Sequence, residues 1–183
     1  MFKFAFLISL VLLVNNALFG QNKKLTQFVP AGYSIMDKAI GDIDKDGISD
    51  AVLVLRNNDE NANTDAARPL LLLKGNSKSQ YTLLARNDSI VLCLGCGGVH
   101  GDLYERVVIK KGYFSVEHLG GSGWRWTRII TFKYDSKLKG FVLHKDAGYS
   151  WHVSDPNKTT ARVFNRDDFD KLSFDKFTNT KNW

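Results

Sequence analysis

Residues 124–134, Trp-Arg-Trp-Thr-Arg-Ile-Ile-Thr-Phe-Lys-Tyr, carry the strictest alternation in the chain. Trp124, Trp126, Ile130, Phe132 and Tyr134 fall on one face, interrupted by Arg128. Arg125, Thr127, Thr131 and Lys133 fall on the other, joined by Ile129. A period of two sustained over this length requires a half-buried strand in an antiparallel sheet, with Trp124 and Trp126 turned to the core.

The rest of the chain repeats that theme in shorter pieces. Ala51–Leu55 and the run Leu70–Leu73 read as buried strands, the second covered on both faces. Tyr81–Ala85 pairs with Leu70–Leu73 as a hairpin, and Ile90–Cys93 adds a further short strand. Val107–Lys111 and Tyr113–Leu119 flank Gly112 as another hairpin. On the latter strand His118 shares its side with Phe114 and Val116, which makes it a core histidine. Phe141–His144, Tyr149–Val153 and Thr160–Phe164 complete the set, with helical turns near 167–172. Arg56–Arg68 has no apolar period and reads as a mobile surface loop. At least seven short strands separated by Gly, Asn and Asp turns define an all-β, mainly antiparallel domain. A sandwich, a curved sheet and an irregular barrel fit this pattern equally.

The N-terminus reads as a leader. Lys3 precedes an apolar run from Phe4 to Val14 that is too short to span a bilayer, and Gly20 supplies a small residue for cleavage. This predicts a signal peptide over 1–20, a single domain over 21–183, and a secreted or periplasmic protein without a later membrane segment. The formal net charge of +6 is modest, and its lysines and arginines are scattered. That distribution favours a solvated surface over nucleic-acid binding. The two cysteines, Cys93 and Cys96, lie in a glycine-rich loop of poor helix formers. In an exported chain this spacing predicts a local disulfide rather than a redox motif or a zinc site.

The stretch Asp42-Ile-Asp-Lys-Asp-Gly-Ile-Ser-Asp50 places carboxylates at positions 1, 3, 5 and 9 and a glycine at position 6. Four such groups repel one another unless a cation sits among them, and calcium accepts six to eight oxygens in a loose shell. An EF-hand would end in Glu at position 12, where this chain has Leu53 within an apolar strand. The pattern resembles the calcium loop of FG-GAP, integrin-type repeats, present here in one copy. The remainder resembles small secreted bacterial proteins of unassigned function. The loop resemblance implies calcium held by Asp42, Asp44, Asp46 and Asp50, with the carbonyl of Ile48 as a fifth ligand.

The expected function is non-enzymatic: a calcium-binding module for a protein or an envelope glycan, by analogy an adhesion module. Candidate ligand-binding residues are His100, Asp102, Glu117, Trp124, Trp126 and Trp151. The competing reading is a hydrolase of an envelope or extracellular polymer, with His100, Asp102 and Glu117 as its acid–base groups. Ser122 does not sit in a nucleophile-elbow pattern, because Trp124 stands where the closing glycine belongs.

Overall fold

A computed structural model describes residues 25–169 and 171–179. The leader expected over 1–20 lies outside the described residues. The domain is all-β and antiparallel, with nine strands among the described residues in two sheets. The first sheet is β1 (Tyr33–Gly41), β2 (Asp50–Asn57), β3 (Arg68–Gly75) and β4 (Tyr81–Val91), in chain order. The second is β5 (Tyr104–Lys110), β6 (Tyr113–Gly121), β7 (Trp124–Asp135), β8 (Gly140–His152) and β9 (Asp155–Asn165), also in chain order. Each sheet is thus an up-and-down meander, as short turns between neighbours require.

The sheets pack face to face. Val52, Val54, Leu70 and Leu72 of the first meet Phe114, Val116, Ile130, Phe132 and Leu143 of the second. Phe114 stacks on Phe132 with ring centres 5.2 Å apart. The leucine run is buried on both faces, as its sequence predicts. Leu71 and Leu73 turn outward, where with Ala51, Leu53 and Leu55 they form a second cluster packed by Leu25, Phe28 and Val29.

Two devices shut the long sides of the sandwich. Along one, β1 lies beside β5, and the Asp37 carboxylate accepts hydrogen bonds from the Tyr104 hydroxyl at 2.7 Å and the Val107 N–H at 3.1 Å. Along the other, the C-terminal segment inserts Phe174 and Phe177 into the core. Asn87 holds that segment, its amide donating to the carbonyls of Phe174 at 2.6 Å and Phe177 at 2.8 Å.

Several boundaries differ from the sequence reading. Residues 81–91 form one strand instead of two, because irregularities in its pairing with β3 absorb the break in pattern. Residues 140–152 are likewise continuous, with a register shift opposite Thr131/Phe132. Residues 33–41 form a strand with a bulge near Met36. The stretch after β2 is a series of hydrogen-bonded turns anchored by buried Glu60, which accepts from Arg68 at 3.0 Å, and not the unanchored loop its composition suggests. Among the described residues no helix is long and apolar enough to cross a membrane.

His118 is 1% exposed, consistent with its place on the apolar face. Its Nε2 accepts a hydrogen bond from the Leu92 N–H at 3.4 Å, while buried Nδ1 has no hydrogen-bond partner among the described residues. Burial and the nearby Arg128 charge lower its pKa to about 3, so the ring is neutral in the fold. In the unfolded chain it takes up a proton below pH about 6.5. The stability this neutral ring permits is therefore complete above that pH and declines as acid is added towards pH 3. Between pH 7 and pH 5 the loss from this group is expected to be about 2 kcal/mol. Urea midpoints at the two pH values should differ less in His118→Leu than in the parent.

Candidate metal centre and binding cleft

The acidic loop joins β1 to β2, two paired strands that fix its ends: Gly41 is opposite Asp50 in the register. Inside it, the carboxylates organise the backbone. Asp42 accepts from the N–H groups of Lys45 at 2.6 Å and Gly47 at 2.9 Å. Asp44 accepts from Asp46 N–H at 3.2 Å, and Asp46 from Ile48 N–H at 2.8 Å. Gly47 turns at φ 86°, a left-handed conformation that a side chain would disfavour.

Asp50 anchors the loop from below. It is 1% exposed and accepts from the N–H groups of Ile43 at 3.1 Å and Gly75 at 2.9 Å. Burial pushes its carboxyl above the ordinary range; the two backbone N–H groups oppose that shift and the Asp44 charge adds to it. The contact with Gly75 depends on the absence of a side chain, since a Cβ there would lie 2.1 Å from the Ser49 carbonyl oxygen.

Asp42, Asp44 and Asp50 each bring a carboxylate oxygen to within 4.8 Å of the others. Two oxygens bound to one calcium at about 2.3–2.6 Å can be no more than about 5 Å apart, so this donor set fits a hard cation of that size. Asp46 departs from the four-ligand expectation. Its outer oxygen accepts from the Lys74 ammonium at 2.8 Å, and the same ammonium also contacts Asp44. Those hydrogen bonds raise the Lys74 pKa and, from the other side, lower that of Asp46. Lys74, at the end of β3, was not picked out by sequence reasoning. No local spacing reveals it, because strand pairing alone brings it to the loop. Ile48 is half-buried, with its N–H held by Asp46.

The other candidates are dispersed. Asp102 forms a two-pronged ion pair with buried Arg68, at 2.7 and 2.8 Å. Burial alone would raise its carboxyl, but the Arg68 and Tyr104 hydrogen bonds outweigh that and hold it below the ordinary range. Glu117 pairs with Arg106 at 2.7 Å, on the opposite face of β6 from His118. His100 belongs to a short 3-10 segment, Leu94–His100. Trp124 and Trp126 correct the expectation of two core residues: Trp126 is only half-buried, and Trp124 is 64% exposed, edge-on to the His152 ring. It stands at the start of β7, beyond the packed centre. Trp151 is half-buried against Tyr149, ring centres 5.4 Å apart. Arg128, which interrupted the apolar face, stays on that face, 4% exposed, with its guanidinium on Asp146 at 2.9 and 2.6 Å.

Cys93 and Cys96 form the expected disulfide. It borders a cleft of about 730 Å³ at one end of the sandwich, also lined by Trp126 and Arg128. None of His100, Asp102 and Glu117 lines this cleft. Comparison of the chain with models of protein families, with curated proteins and with solved structures finds no match.

Proposed function

We propose that this chain is an exported, non-enzymatic β-sandwich that binds one calcium ion in the loop 42–50 and acts by binding a protein or an envelope glycan. The observation that carries the calcium reading is the convergence of Asp42, Asp44 and Asp50 on one region within 4.8 Å. Three negative oxygens held that close by backbone hydrogen bonds favour a divalent cation over water. The ion is structural in this reading, tying the β1–β2 connection to the end of β3 through Asp50. The resemblance of the loop to FG-GAP calcium loops points the same way.

The hydrolase alternative gains nothing from His100, Asp102 and Glu117. Asp102 and Glu117 are committed to different arginines, and none of the three lines the cleft beside the disulfide.

Thermal melting tests the calcium reading. At a free calcium concentration 100 times the dissociation constant, stabilisation is about 2.7 kcal/mol, or a rise in Tm of about 5–10 °C for a domain of this size. The rise should vanish on adding a chelator. Equal melting temperatures with and without chelator would remove calcium from the account.

A further inference from the structure

We infer that the outward face of the second sheet is the glycan-binding surface of this module, and that it takes an acidic polysaccharide of carboxylate-bearing rings laid along β7 and β8. The inference rests on the envelope-glycan reading above and gives it a surface and a ligand class.

Basic residues scattered along the sequence meet on this face through strand register. Alternation turns Arg125 and Lys133 of β7, Lys145 of β8 and Lys110 of β5 away from the core. None of the four has an ion-pair partner among the described residues. The carboxylates described on the same face are engaged. Glu117 pairs with Arg106 at 2.7 Å, and Asp135 accepts from the N–H groups of Lys137 and Leu138 in the turn beyond β7. An anionic chain is therefore the complement of this face. The first sheet offers no such surface, since Leu25, Phe28 and Val29 pack on its outer side.

Aromatic rings narrow the choice of anion. Trp151 stands opposite Arg125 in the register, so an indole and a guanidinium lie side by side. Tyr149, 47% exposed, meets Trp151 with ring centres 5.4 Å apart and widens the platform. Such a platform suits the C–H face of a sugar ring, and the guanidinium suits a carboxylate carried on that ring. Beyond it Thr127, Ile129 and Ala147 make a low floor. At the rise of an extended strand, Lys145 follows about 20 Å from Trp151, and Lys133 about 27 Å from Arg125. The Lys133 ammonium sits over the Tyr113 ring at 5.8 Å. Widely spaced cations and one open aromatic platform fit a stiff chain of charged rings. Single-stranded nucleic acid instead calls for a closely charged groove and successive rings for successive bases, which the described residues of this face do not offer.

The test is calorimetric titration of the purified protein with hexagalacturonate and, separately, with its methyl ester, each with calcium and with chelator. The acid form should bind in either condition. The ester, which keeps the rings and loses the charge, should bind about tenfold more weakly or worse. Raising salt from about 50 to about 200 mM should weaken the acid form several-fold. Arg125→Gln and Lys145→Gln, both exposed changes, should each weaken it several-fold, as should Tyr149→Ala. Lys78→Gln, an exposed change in the turn after β3, should not. Equal affinity for acid and ester would overturn the acidic-ligand assignment. Acid-form binding untouched in all three face variants would overturn the location and leave the glycan reading standing. Tighter binding of a single-stranded oligothymidylate, or of phosphatidylglycerol vesicles, lost in the same variants, would overturn the choice of a polysaccharide. Co-sedimentation with insoluble cell-wall glycan separates the two levels: sedimentation without binding of either oligomer defeats this inference alone. Absence of both defeats the glycan reading as well.

Discussion

Arg68→Ala should lower stability by about 3–5 kcal/mol, the usual cost of stranding the partners of a buried ion pair. For a domain of this size that is a fall in Tm of about 10 °C. Arg68 is 1% exposed and reaches three separate segments. Its Nε donates to Glu60 at 3.0 Å in the turns after β2. Its two terminal nitrogens donate to Asp102 at 2.7 and 2.8 Å, and one also donates to the Leu92 carbonyl at 3.2 Å. Removing the guanidinium leaves Glu60, 8% exposed, with an uncompensated charge. Arg68→Lys should recover only part of the loss, because one ammonium cannot reproduce the planar fork on Asp102. Chemical denaturation of the three proteins at pH 7 measures the difference. Since Asp102 is held below the ordinary carboxylate range, its contribution is complete at neutral pH and fades as the pH falls from that ordinary range through the lowered value.

Asp50→Ala should do two things at once. It strips the acceptors from two buried N–H groups, those of Ile43 and Gly75, at an expected cost of about 2–4 kcal/mol. It also removes one of the three converging carboxylates, so the calcium-dependent rise in Tm should disappear. Asp50→Asn separates the effects. The amide keeps one acceptor oxygen, so much of the stability should return while the calcium response stays weak. A variant that lost stability yet kept the full response would place the ion elsewhere.

The strands were legible where burial is one-sided or complete. Alternation located β7, and the leucine run located β3 with both of its faces covered. The breaks misread within β4 and β8 have a common cause: bulges shift the period by one, so a continuous strand looks like two. Trp124 misled because alternation assigns a face but not a position along the strand, and the start of β7 outruns the core. Arg128 looked like a flaw in the apolar face because its partner, Asp146, is supplied by the neighbouring strand. Long-range pairing likewise hid Arg68, whose role depends on Glu60 and Asp102 meeting it from opposite directions. Within the acidic loop, spacing picked out the converging carboxylates, but it could not show Lys74 drawing Asp46 aside.

Lys74 makes the central claim open to a direct measurement. Its ammonium occupies Asp44 and Asp46, so calcium must compete with an internal cation. Isothermal titration of the parent protein with calcium should give one site, lost in Asp44→Ala and tightened several-fold in Lys74→Gln as the competing charge is removed. Heats of dilution alone in the parent and in Lys74→Gln would contradict the account. The loop would then be a turn held by its own hydrogen bonds and one lysine.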